Sequence, residues 1–103
     1  MSKRLAYLEK VTAEGSQDPM AWYALAMEYR SLSRLDEAWQ TFTALRKANP
    51  GYVPMFLMCG QMLAGMGRGD EAREWIEAGI AAAREQKNAH ALGELESALA
   101  GLE

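Results

Sequence analysis

The chain is 103 residues long, half of them hydrophobic and 24% charged, with eleven basic against fourteen acidic side chains and a formal net charge of −3. That length suits one domain with a modest core, and the acidic balance argues against a nucleic-acid surface, which needs basic residues gathered on one face. A single cysteine, Cys59, excludes an internal disulfide framework and suits a reducing compartment. No apolar run approaches the roughly 18–20 residues of a membrane span. The opening MSKRLAYLEK lacks the apolar centre and small-residue cleavage site of a secretory signal. By elimination, a cytoplasmic protein is expected.

Taken in order, residues 3–14 predict a first helix, with Ser2 able to cap it and Leu5, Leu8 and Val11 forming a narrow apolar stripe. Gly15-Ser16-Gln17 breaks it. Asp18 then offers an N-cap carboxylate, and Pro19 takes the first helical position, where a missing N–H is harmless. The second helix, about Pro19 to Leu32, places Trp22, Leu25, Ala26 and Tyr29 on one face at spacings of three and four. Ser33-Arg34-Leu35 reads as a turn. Asp36 and Glu37 open a third helix, where acidic groups complement the helix dipole. That helix carries Ala38, Trp39, Phe42 and Leu45 inward and stops at Asn49-Pro50-Gly51.

A fourth helix is predicted from about Val53 to Met66, carrying Phe56, Cys59, Gly60 and Leu63, followed by a Gly67-Arg68-Gly69 turn. The fifth begins near Asp70, uses Ala72, Trp75, Ile76, Gly79 and Ile80, and with no proline to stop it runs to about Gln86. Lys87-Asn88 restarts the chain. The last helix, to about Gly101, has an apolar stripe of Leu92, Leu95, Leu99 and Leu102 and reads as a cap on the end of the array.

The third to fifth helices repeat what precedes them. Arg34-Leu35-Asp36-Glu37-Ala38 returns 34 residues later as Arg68-Gly69-Asp70-Glu71-Ala72. In the same register Trp22 returns as Phe56, Leu25 as Cys59, Ala26 as Gly60, Tyr29 as Leu63 and Phe42 as Ile76. Subtracting the same period from Phe42 and Leu45 lands on Leu8 and Val11, so the first helix mimics the second half of a missing unit. Leu92-Gly93 echoes Cys59-Gly60 one residue out of period. Small residues (Ala26, Gly60, Ala38, Ala72) recur where helices must approach, and large ones fill the gaps between them. One helical hairpin cannot bury both its faces, so such units are expected to stack.

The series Trp-x2-Leu-Ala-x2-Tyr-x8-Ala-x3-Phe-x7-Pro, read from Trp22, Leu25, Ala26, Tyr29, Ala38, Phe42 and Pro50, resembles the tetratricopeptide repeat (TPR). A looser second copy runs through Phe56, Gly60, Leu63, Gly67, Ala72 and Ile76. The resemblance covers about two-thirds of the chain. Three positions depart from the family pattern: Ser33 stands for a glycine, Leu45 for a small residue and Arg84 for a proline. The resemblance implies a small bacterial-type TPR protein, all-α, a superhelix of stacked antiparallel helix pairs with about six helices. The layout expected is a single helical-repeat domain over 1–103, with a leader helix in 1–15, repeats at 19–52 and 53–86, and a capping helix in 88–102.

In the family, the first helix of each unit lines a concave groove that holds a peptide or helix. Carried onto this chain, the implied groove residues are Met20, Tyr23, Ala24, Met27, Arg30 and Ser31, then Pro54, Leu57, Met58, Gln61, Ala64 and Gly65, with His90 and Glu94 from the last helix. Of these, Met20, Tyr23, Met27, Arg30, Leu57, Met58 and Gln61 are the expected partner-binding set. Tyr23 and Met27 stand where chaperone-binding relatives carry residues that clamp a carboxylate, so an apolar or helical segment of another protein is the expected ligand. Methionine-rich apolar surfaces adapt to such segments. The alternative is a self-associating, homodimeric structural protein.

Catalysis is not expected. Cys59 falls on a periodic apolar position and His90 on a polar one, and a nucleophilic dyad would also need a third orienting group. One Cys and one His show no zinc-ligand spacing, and no cofactor is implied. Asp36-Glu37 and Asp70-Glu71 are sequence neighbours that do not face one another on a helix. Gly65-x-Gly67-x-Gly69 follows no strand and lacks the lysine-serine ending of a phosphate loop.

Overall fold

In the computed structural model, which describes residues 2–102, six α-helices form: α1 (Lys3–Ala13), α2 (Pro19–Ser31), α3 (Leu35–Ala48), α4 (Pro54–Gly65), α5 (Gly69–Glu85) and α6 (Ala89–Ala100). Three of them start on side-chain caps. Leu5 N donates to Ser2 Oγ at 3.0 Å, Met20 N to Asp18 Oδ1 at 3.0 Å and Ala91 N to Asn88 Oδ1 at 3.1 Å, each satisfying an orphan amide of a first turn. Pro19 and Pro54 take first positions.

α3 and α5 begin differently. No side chain caps Arg34 or Arg68; instead each arginine reaches forward onto a glutamate three residues on. Arg34 Nε and Nη2 donate to Glu37 at 2.6 and 2.5 Å, and Arg68 Nε and Nη2 to Glu71 at 2.7 and 2.5 Å. This is what the repeated Arg-x-Asp-Glu-Ala encodes. The bidentate bonds hold the Glu37 and Glu71 carboxyls below the ordinary carboxylate value, and both carboxylates sit in a first turn where the dipole favours them.

The chain divides into two compact units, Met1–Pro50 and Gly51–Glu103. In the first, α2 packs against both α1 and α3. Leu5 and Leu8 of α1, Leu25, Ala26 and Tyr29 of α2, and Ala38, Phe42 and Leu45 of α3 are buried. Val11, expected inward, is only half-buried and Thr12 takes the inner position; its hydroxyl donates to Leu8 O at 2.9 Å, which satisfies it without a partner from another helix. Trp22 is also half-buried, with its indole N–H donating to Ser16 O at 2.8 Å. Trp39, expected inward, is half-buried too.

Polar contacts tie α1 to α2. The Tyr29 hydroxyl donates to Glu9 Oε2 at 2.6 Å and Ser2 Oγ donates to Glu28 Oε2 at 2.9 Å. Burial, then the hydrogen bond and charge of Glu9, push Tyr29 up to about 12. Arg34 lies over the Tyr29 ring at 4.9 Å.

In the second unit α5 packs on α4 and α6, and α4 meets α6. Met55, Phe56, Cys59, Met62, Leu63, Trp75, Ile76 and Leu95 form its interior, each large apolar side chain contributing about 1.5–3 kcal/mol on burial. Glycine allows the closest approaches. A Cβ on Gly60 would lie 2.6 Å from Ile76 Cγ1, and one on Gly79 would lie 2.5 Å from Phe56 Cβ. Of the apolar stripe on α6, Leu95 is buried whereas Leu92, Leu99 and Leu102 are only half-covered.

The turns between paired helices need a left-handed residue. Gly67 supplies one at φ 78°, and Ser33, in the equivalent position, is held at φ 60°. Helix bounds fall within about one or two residues of those expected, the usual scatter at frayed ends.

Candidate protein-binding faces

On α2, burial of Leu25, Ala26 and Tyr29 turns the opposite face outward. Met20 is 65% exposed, Ser31 is exposed, and Tyr23, Ala24, Met27 and Arg30 are half-buried. Met20, Tyr23, Met27 and Arg30 follow one another at spacings of three and four, so they share a stripe. Tyr23 has a second duty: its ring meets Phe42 edge-on, with centroids 6.4 Å apart and planes at 62°.

α4 is the more unusual helix. Its twelve residues, PMFLMCGQMLAG, include no charged side chain. Met55, Phe56, Cys59, Gly60, Met62 and Leu63 are buried, and the other six positions, including Leu57, Met58 and Gln61, are exposed or half-buried. A surface helix ordinarily turns charged residues outward. Here the outward face offers Pro54, Leu57, Met58, Gln61, Ala64 and Gly65. On α6, His90 and Glu94 are exposed, with His90 Nε2 3.4 Å from Glu94 Oε1.

Other surfaces carry different chemistry. Cys59 is fully buried, where a thiol packs as a small hydrophobe. Among the described residues no group of three or more His, Cys, Asp or Glu side chains could hold a metal ion. A cavity of about 280 Å³ in the first unit is lined by Ser16, Gln17, Trp22, Ala44, Leu45, Ala48 and Asn49. Tyr7 on α1, 66% exposed, was not anticipated as an outward aromatic. Its signal lay in the stripe Leu5, Leu8 and Thr12, which leaves residue 7 on the far side.

A family model for the tetratricopeptide repeat matches residues 29–100. The chain belongs to the tetratricopeptide repeat family. Among solved structures, a TPR domain protein from Salinibacter ruber determined by NMR is 31% identical with a TM-score of 0.80, over 84% of this chain and 87% of that one. A crystal structure of a Salinibacter ruber TPR domain protein is 30% identical with a TM-score of 0.78, over 82% and 96%. The solution structure of a protein from Bordetella parapertussis is 26% identical, with a TM-score of 0.83 over 99% of this chain and 89% of that one. No curated protein is similar enough to count as a match. The TPR fold is a common protein–protein interaction module, and its members are generally non-enzymatic repeat proteins. Among the described residues no TPR helix of this chain is long and apolar enough to cross a membrane.

Proposed function

We propose that this TPR protein is a non-catalytic adaptor that binds an apolar or amphipathic helical segment of another protein. Residues 1–103 serve in this reading as one helical-repeat domain working in the cytoplasm without a cofactor. Met20, Tyr23, Met27 and Arg30 on α2 and Leu57, Met58 and Gln61 on α4 make the contacts. The observation that carries the reading is α4, a helix without a charged residue whose outer half is apolar or uncharged, with Pro54, Gln61, Ala64 and Gly65 exposed and Leu57 and Met58 half-buried. Apolar surface facing water in this way marks an interaction site, and a helix laid on it would use anchors at three- and four-residue spacings. Arg30 adds the one charged group of the expected set and favours an acidic residue at one end of the ligand.

A partner isolated with the wild-type chain and then titrated by calorimetry tests this. Met20→Glu places a charge on an exposed position and Leu57→Glu one on a half-buried position of the α4 face, with circular dichroism to confirm folding, while Gln40→Glu alters an exposed site on α3. Each of the first two is expected to weaken binding by tenfold or more, about 1.4 kcal/mol, and the third to leave it unchanged. Equal affinity for all four proteins would overturn the assignment of the faces.

A further inference from the structure

Within the second unit, α4 and α6 present the same kind of face with opposite fates. On α4, Phe56, Cys59, Gly60 and Leu63 are buried, and the Gly60 notch is filled by Ile76 of α5. Shifted by the 33 residues that align Cys59-Gly60 with Leu92-Gly93, the face on α6 is Ala89, Leu92, Gly93 and Glu96. It is open. Leu92 is half-buried, Ala89, Gly93 and Glu96 are exposed, and a Cβ on Gly93 would meet nothing within 4 Å. A glycine inside an exposed helix weakens it, and at Gly60 the missing side chain is explained by a helix lying against it. Beside this face runs a valley between α5 and α6, with one basin of about 460 Å³ lined by Ile80, Arg84, Glu96, Leu99 and neighbours, and another of about 300 Å³ lined by Ala83, Leu92 and neighbours.

At the other end of the chain, α1 follows the pattern of the second helix of a unit, with Leu8 and Val11 in register with Phe42 and Leu45. Its Leu5, Leu8 and Thr12 are buried, while Tyr7 is 66% exposed and Val11 half-covered. Those two stand at the positions of Trp75 and Gly79 in α5, which face toward α4.

We infer that α1 of a second copy of this chain docks on the open face of α6, forming a helix pair of the α4–α5 kind and joining copies head to tail. Two paired departures from the repeat pattern favour a second copy over an unrelated helix. Where α3 and α5 carry Ala38 and Ala72, α1 carries Arg4; where α4 carries Leu63, α6 carries Glu96. In the intact pair the two positions lie on facing turns: a Cβ on Gly60, one turn before Leu63, would stand 3.5 Å from Ala72 O. An arginine, whose Nε stands 3.6 Å from Glu28 Oε1 in its own chain, would therefore come within a turn of a glutamate across the new contact. Total charge agrees, since α1 carries Lys3, Arg4 and Lys10 against Glu9, whereas α6 carries Glu94 and Glu96 with no lysine or arginine. Arg84 and Lys87 flank the valley; Arg84 is already 3.5 Å from Glu96. The contact is heterologous, so it propagates into short open oligomers or a ring rather than stopping at a two-fold dimer. It uses neither of the faces assigned to the partner on α2 and α4.

Sedimentation velocity over about 5–500 μM tests it, with far-ultraviolet circular dichroism to confirm folding. The wild-type chain is expected to show a concentration-dependent rise in mass beyond a dimer, weakened by salt because opposite charges are joined. Gly93→Gln, which fills the notch, and Tyr7→Glu, which charges the docking helix, should each be monomeric and folded. Mixed together they should form a one-to-one complex, because each retains the end the other lacks. Arg4→Glu should weaken association at least tenfold, and Glu96→Arg in the same chain should restore it. A wild-type chain that stays monomeric at 500 μM, a self-limiting dimer indifferent to these changes, or a mixture that fails to pair would overturn the inference.

Discussion

Gly79→Ala and Gly93→Ala make the same chemical change in two helices and should move stability in opposite directions. At Gly79 the new methyl would sit 2.5 Å from Phe56 Cβ and 3.0 Å from Leu95 Cδ2. Carbon atoms rest at about 3.5–4.0 Å, so the helices would have to part by roughly 1 Å. The nearer atom is a Cβ fixed to the backbone of α4, so no side-chain rotation relieves the clash. Overpacking of this kind costs about 1–3 kcal/mol, against a gain of about 0.8–1.0 kcal/mol from replacing glycine by alanine in a helix. The net expectation for Gly79→Ala is a loss of about 1 kcal/mol, and at most about 2 kcal/mol. At Gly93 nothing lies within 4 Å, so the helix gain of roughly 0.5–1 kcal/mol stands alone. Urea unfolding followed by circular dichroism, at low micromolar protein to avoid association, should separate the two midpoints by about 1 M at ordinary slopes. Equal midpoints, or a stabilised Gly79→Ala, would refute the reading of Gly79 as a close-approach position.

Ser33→Gly relieves a left-handed residue at φ 60°; subtracting glycine's extra unfolded-state entropy from the strain leaves a gain of about 0.5–1 kcal/mol, read as a rise of several degrees in Tm. Tyr29→Phe removes the 2.6 Å bond to Glu9 and should cost about 1–2 kcal/mol at neutral pH. Because folding raises Tyr29 from 10.0 to about 12, its contribution is complete below pH 10 and fades as pH climbs toward 12. The wild-type advantage over Tyr29→Phe should therefore shrink in that window. Glu37 and Glu71 shift the other way, held low first by hydrogen bonds from Arg34 and Arg68. Their contribution is present above the ordinary carboxylate value of 4.5 and is lost as pH falls through the depressed one. The double variant Arg34→Gln, Arg68→Gln should lose this part of the acid sensitivity in a pH series of thermal melts.

The helices were legible because their ends carry local chemistry: Asp18-Pro19, Asn49-Pro50 and Asn88 act on the nearest amides and need no tertiary context. The 34-residue register made the close approaches legible as well, since Gly60 and Ala72 are small for the same reason Ala26 and Ala38 are. Less legible were positions where two inner sites compete. Val11 and Thr12 are adjacent on α1, and the choice between them depends on the angle at which α1 meets α2, which no spacing rule sets. The Arg34–Glu37 and Arg68–Glu71 clamps are visible as letters, but spacing alone puts the acidic residues at the helix dipole and the arginines in the turns. Tyr23 shows why the faces are harder than the fold. Its position at the edge of the apolar stripe lets one ring both pack on Phe42 and face outward, and hydrophobic spacing does not separate those roles.

Site-specific photo-crosslinking in the native cell tests the assignment of partner binding most directly. A photoreactive amino acid would replace, one at a time, Met20 on α2, Gln61 on α4 and Gln40 on α3, all exposed positions. The account predicts adducts with the same partner protein from positions 20 and 61 and none from position 40. A partner captured from position 40 but from neither of the others would contradict it.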